Sequence, residues 1–180
     1  FVTGSSTKTF EIGDATVYTP VTLNFTGTIS GGSITAKSIS GDHPQIATSN
    51  YNVNRTVNRF YTLTPNSVVG LTSYSPIFTY DSTDNDIAAT ASNYVIRNYT
   101  GGTWSAPSIS GTPTATSAGT TGLTSFGDFA IGEDKIALEI TANSSEKCFG
   151  DVKTFAGTEF TITNGSLESG HSITVTLTST

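Results

Sequence analysis

The chain has 180 residues, with 8 Lys+Arg against 14 Asp+Glu, a net charge of -6 and only 12% of its residues charged. That balance excludes the positive field needed to hold a nucleic-acid backbone or an anionic membrane surface, and the length is enough for one ordinary core and part of another. Ser and Thr stand in for charge, at roughly a third of the residues where ordinary domains are about a quarter charged, and with 18 Gly, 6 Pro and no Met this is the profile of an all-β secreted module.

The first motif along the chain is FEIGD, Phe10 to Asp14, which returns as FAIGE, Phe129 to Glu133. In each copy Phe and Ile, two residues apart, share one face of a strand. The Gly then lets the backbone turn, with a solvated carboxylate beyond it. This reading makes the two copies the opening and closing strands of one domain; the alternative is a coincidence of two short strand-turn signals. From Val17 onward the pattern has period two, with Val21, Leu23 and Phe25 on one face and Thr22, Asn24 and Thr26 on the other. Gly31-Gly32 reads as a turn into a strand over Ile34 to Ile39. Further short strands are predicted at Arg59 to Leu63, Pro76 to Tyr80 and Tyr94 to Tyr99. Thr100-Gly101-Gly102 reads as a hairpin turn, because Gly supplies the positive φ such turns need, and Trp104 leads the return strand.

A loose Ser/Pro/Gly/Thr stretch runs to Thr121, after which Phe126, Phe129 and Ile131 resume the apolar spacing. No stretch carries the i, i+3, i+4, i+7 stripe of a helix. Many short strands between turns predict an antiparallel β-sandwich, Ig-like or jelly-roll-like, over residues 1–133. A new alternation begins at Lys135 to Thr141, with Ile136, Leu138 and Ile140 on one face. Phe160 and Ile162, an Asn164-Gly165 turn, and Ile173, Val175 and Leu177 follow. So short a stretch buries little core alone, so residues 134–180 read as a truncated or small second β module, with the strands at Ile136 to Ile140 and Ile173 to Leu177 in one small sheet.

No apolar run approaches a membrane span of ~20 residues, and the chain opens without a basic, then apolar, leader; it is expected to be a mature or internal piece of a longer protein. The single Cys148 allows no intrachain disulfide and is expected to be a small buried apolar residue, an intermolecular bridge being the alternative.

The ordered set FEIGDATVYTPVTLNFTG, GDHPQI, NRFYTLTP, GGTWS and GLTSFGDFAIGE, spanning residues 1–133, resembles a repeated β-domain of Bacteroidota cell-surface proteins exported by the type 9 secretion system. The stretch from Ile140 to Thr180 resembles the opening of the YDG or MBG-type repeats of the same large adhesins. Their Lys-x-Tyr-Gly is here Lys147-Cys148-Phe149-Gly150, a departure at the aromatic. The family includes gliding-motility adhesins. The resemblance implies a non-enzymatic structural or adhesive role at the exterior of a bacterial cell, beside neighbouring repeats of the same polypeptide and possible secretion-system partners.

Nothing in the sequence assembles a catalyst: there is no G-x-S-x-G, no H-E-x-x-H and no C-x-x-C. His43 sits in Gly-Asp-His-Pro, read as a turn capped by Asp42 with φ fixed by Pro44, and His171 falls in the other module. Asp81, Asp84 and Asp86, with Asn85, could offer oxygens to Ca²⁺, against a solvated loop whose carboxylates serve local backbone donors. Asp81-Ser82-Thr83 is similar to the Bacteroidota O-glycosylation sequon, which would place a sugar on Ser82. Trp104, Tyr99, Tyr94 and Tyr51 could stack on sugar rings, so a glycan-binding module is the alternative function. For Trp104, packing between the sheets is the competing expectation.

Overall fold

In the computed structural model, which describes residues 6–27, 29–165, 167 and 172–176, the chain is all-β with antiparallel pairing throughout. It divides into two compact units, residues 1–134 and 135–180. The strands of the first are β1 (Ser6–Phe10), β2 (Val21–Thr26), β3 (Gly31–Ser40), β4 (Tyr51–Thr56), β5 (Arg59–Val69), β6 (Ser73–Thr79), β7 (Val95–Thr100), β8 (Thr103–Ser105), β9 (Ser117–Gly119) and β10 (Gly127–Asp134). Those of the second are β11 (Glu139–Ala142) and β12 (Phe160–Asn164).

Two sheets make the first unit. One has the order β1-β2-β6-β9; the other runs β3-β5-β10-β7-β8, with β4 also bonded to β10. The alternation in β2 does what its pattern requires: Val21 and Leu23 are fully buried and Phe25 nearly so, while the Thr and Asn between them stay partly or wholly exposed. They meet Tyr61, Leu63, Ile96, Phe129 and Ile131 of the facing sheet in one apolar cluster, joined by Tyr74, Phe78, Tyr80 and Tyr94. Buried phenols need partners. Tyr61 Oη donates to the Thr79 carbonyl at 2.5 Å, Tyr74 to Ser125 at 2.7 Å and Tyr80 to Thr114 at 2.8 Å, so the core's hydroxyls also tie down its connections.

The two Phe-x-Ile-Gly copies part company here. Phe10 ends the edge strand β1, and Gly13 pairs with Tyr18 across a small hairpin. FAIGE does lie in the last strand of the unit, β10, which ends one residue beyond it, but its Gly does not turn the chain. β10 runs through it as the middle of the larger sheet, bonded to β7 along one side and to β5 and then β4 along the other. Gly132 serves close approach: a Cβ there would lie 2.8 Å from Thr56 Cγ2 and 3.1 Å from the Arg55 carbonyl oxygen. Glu133, expected in solvent, is buried, accepting from the Thr90 amide and pairing with Arg55 at 3.5 Å.

Other local expectations are revised as well. Gly31-Gly32 is a bulge inside β3 rather than a turn before it, with Gly32 at φ 93° and the register slipping between Gly31 and Ser33. The stretch read as loose contributes β9, which binds β6. In the second unit β11 pairs with β12, not with the Ile173 segment: residues 172–176 form no strand, and Leu177 lies outside the described residues. Cys148 is exposed rather than buried. Among the described residues no helix is long and apolar enough to cross a membrane.

Candidate functional site

The acidic loop Asp81 to Asp86 does not converge on a common point. Asp81 caps a single 3₁₀ turn over Ser82–Asp84, accepting from the Thr83 amide at 2.8 Å and its hydroxyl at 2.7 Å. These bonds, the backbone one first, hold its carboxyl below the ordinary range. Asp84 turns inward to Arg59, whose Nε lies 2.7 Å from it. Asp86 accepts from the Thr56 amide at 2.8 Å and the Asn58 side chain at 2.9 Å. Among the described residues no three His, Cys, Asp or Glu side chains are grouped to hold an ion. Ser82 is exposed on the same turn, and its carbonyl accepts from Asn85.

Arg59 explains why these acids face apart. It is 1% exposed and receives Asp84, Asp14 at 2.9 Å and the Ser38 hydroxyl at 3.1 Å. Burial works against its charge, but the bonds to Asp84 and Asp14 outweigh it and hold the guanidinium above its ordinary value. Asp14, the acid of the first motif copy, is held well below the usual carboxylate range, first by the Thr16 hydroxyl and amide and then by Arg59. The sequence carried no signal for this triad, because its members lie on three separate segments.

The four stacking candidates separate by face. Tyr94 is buried in the core cluster with its hydroxyl on Asn85 Oδ1 at 2.8 Å, and burial pushes its pKa up to about 12. Tyr51 is fully buried against the outer face of the larger sheet, its hydroxyl shared between the carbonyls of Ala130 at 2.7 Å and Val95 at 3.1 Å and its ring under Arg97. Neither can receive a sugar. Tyr99 and Trp104 remain half-exposed, paired directly across the β7–β8 hairpin that Gly101 and Gly102 turn at φ 58° and 84°. Trp104 is not between the sheets. It stands on the outer face, where its Nε1 donates to the Gln45 carbonyl at 3.1 Å and to Thr48 Oγ1 at 3.2 Å.

His43 completes this outer cluster. The Asp-His-Pro segment turns as expected, the Ile46 amide donating to the His43 carbonyl at 2.8 Å, but its histidine is packed away: His43 is 4% exposed, with ring centroids 4.9 Å from Tyr99 and Trp104 and 5.0 Å from Phe60. Asp42 accepts from the Thr56 hydroxyl at 2.9 Å rather than capping. The Gln45 amide donates to His43 Nδ1 at 3.1 Å, which leaves Nε2 to donate to Asp128 Oδ2 at 3.1 Å. His171 lies outside the described residues.

The register aligns a row of side chains across this face. Lys37 of β3 is opposite Thr62 of β5, Thr62 opposite Asp128 of β10, Asp128 opposite Tyr99 of β7, and Tyr99 opposite Trp104 of β8. Directly paired residues point to the same side. Thr62, Asp128 and Tyr99 line a groove of about 530 Å³, walled further by Thr64 and Gly101. In comparisons with known proteins, the chain matches no family model, no curated protein and no solved structure.

Proposed function

We propose that this chain is a non-enzymatic structural segment of a large secreted bacterial cell-surface adhesin, serving as a stalk spacer or adhesion element among neighbouring repeats. The observation that carries this reading is where the first and last described strands of the first unit have their outer ends. Ser6 pairs with Phe25, next to the Thr26–Ser73 pair, at the pole where β10 begins. Asp134 ends β10 at the other pole, where Arg59 meets Asp14 and Asp84. The eight residues of β10 separate the two points by roughly 25 Å at the usual strand rise. A unit threaded from pole to pole adds length to a fibre, whereas one with adjacent ends hangs from it as a side branch.

The same geometry sets how tension acts. Pulling on the two ends draws β1 and β10 along their own axes, so their ladders are sheared as sets rather than opened pair by pair. Support also comes from the polar groups most suited to chemistry, Arg59, His43, Asp84 and Glu133, each of which is buried or nearly so and bonded to other parts of the fold. The bacterial exterior is assigned from the motif resemblance.

Single-molecule stretching tests the mechanical part. Held by its termini, the chain should resist a higher force than when β1 is unzipped from β2 through Ser6→Cys and Thr26→Cys, with Cys148→Ser. Equal forces in the two geometries would overturn the tether reading, as would turnover on a polysaccharide or peptide panel that is lost with one carboxylate. Antibody against the chain should label intact source cells, and labelling only after lysis would remove the extracellular setting.

A further inference from the structure

A tether needs no ligand, yet the outer face of the larger sheet carries a built groove. We infer that this groove binds a neutral oligosaccharide, with Tyr99 as the stacking ring and Asp128 and Thr62 as the hydrogen-bonding groups. Pyranose rings present an apolar face and a rim of hydroxyls, so they are recognised by an aromatic ring beside fixed acceptors and donors. The register places those elements side by side, since Asp128 is paired with Tyr99 on one side and Thr62 on the other.

Asp128 is fixed in advance. Its Oδ2 takes the His43 hydrogen bond, its Oδ1 takes no hydrogen bond among the described residues, and its side chain is 29% exposed. His43, itself buried, is held in turn by the Gln45 amide, and the Gln45 carbonyl by Trp104, so the acceptor is positioned by a chain of hydrogen bonds that runs through the segment between β3 and β4. This assigns Trp104 a positioning role, with its N–H committed to residues 45 and 48; of the two aromatic rings that line the groove, Phe126 is stacked on Tyr74 and Tyr99 stands beside Asp128 as the ring that meets sugar. His43 likewise acts through Asp128. The chain's net charge of -6 and the carboxylate in the groove disfavour polyanionic glycans.

The test is titration of the full chain with cellohexaose, xylohexaose, mannohexaose and, as the anionic comparison, hexagalacturonate, read by calorimetry and by Trp104 emission. One of the neutral hexasaccharides should bind saturably, and Tyr99→Ala and Asp128→Asn should each weaken it about tenfold or more, the size expected for one lost stacking or charged hydrogen-bonding contact. Tyr99→Phe should keep most of the affinity, because the ring is retained. Should Tyr99→Ala fail to fold, Asp128→Asn and Thr62→Val decide the matter, with an unchanged thermal midpoint as the control for structure. No binding of the three neutral sugars at about 10 mM, well above the ~1 mM of a weak site, would overturn the inference. So would binding that all the folded variants retain in full, or binding of hexagalacturonate alone. None of those failures touches the tether reading, which rests on the poles and not on this face.

Discussion

Phe10 to Asp14 and Phe129 to Glu133 share a pattern of residue types, yet they do opposite work in the fold. In the first, Phe10 and Ile12 are half-buried at a sheet edge, and the Gly and acid form a hairpin whose carboxylate reaches a cation from another segment. In the second, Phe129 and Ile131 are wholly buried, the Gly is pressed against a neighbouring strand, and the acid is enclosed. The shared letters encode only a shared local habit, two apolar residues on one face followed by a small residue and a carboxylate. In both copies the Gly admits a close backbone, that of Val17 and Tyr18 across its own hairpin at Gly13 and that of β4 at Gly132, and position in the sheet decides which.

The contrast is sharpest for the aromatic residues. Phe129→Ala should cost about 3–5 kcal/mol, since it removes a fully buried ring packed 5.1 Å from Phe78. Phe10→Ala, half-buried at the edge, should cost about 1–2 kcal/mol. Urea titration of the full chain gives both, and equal costs would mean that the two copies are energetically equivalent. Next in size is Gly132→Ala, expected to destabilise by about 1–3 kcal/mol because Thr56 and the Arg55 carbonyl must yield to the new methyl. An unchanged urea midpoint would show that β4 can move away without cost.

The smallest effect is on the acid limb of stability. The carboxyl of Asp14 is held low in the folded state by Thr16 and Arg59, so its contribution is complete above the unfolded value of about 3.9 and is lost as pH falls through the folded one. Asp42 has the opposite sign: burial raises its carboxyl, so what it contributes is present in acid and lost as pH rises through the raised value. Asp14→Asn should therefore flatten the fall in urea midpoint between pH 5 and pH 2, while lowering the midpoint at pH 6. A variant that tracked the native acid limb would show that the Asp14–Arg59 pair is not formed in solution.

Much of the sandwich is legible in the sequence because its signals are local. The alternation Val21, Leu23, Phe25 marks a half-buried strand wherever it stands, and two glycines between Thr100 and Thr103 permit few structures other than a hairpin. What was illegible depends on partners distant along the chain. Nothing near His43 announces Asp128 or Trp104, and Glu133 reads as solvated until Thr90 and Arg55 are brought to it. The groove was half-visible: Tyr99 and Trp104 stand out as aromatics, but Asp128 and Thr62 join them only through the β5–β10–β7 register. The second unit was misread for a related reason. Three apolar runs, at Ile136, Phe160 and Ile173, compete for one partner, and alternation alone cannot choose among pairings.

The place of β10 has a consequence for the order in which this unit can assemble. Within the larger sheet, β3 and β5 form one ladder and β7 and β8 another, and the strand that joins them comes from residues 127–134, the last to be made. A chain emerging from its N-terminus therefore presents two unlinked hairpin-like pieces, each with an open edge, until its final eight residues arrive. Completion of the sheet is in effect a length check: its two ladders are joined only when residues 127–134 are present.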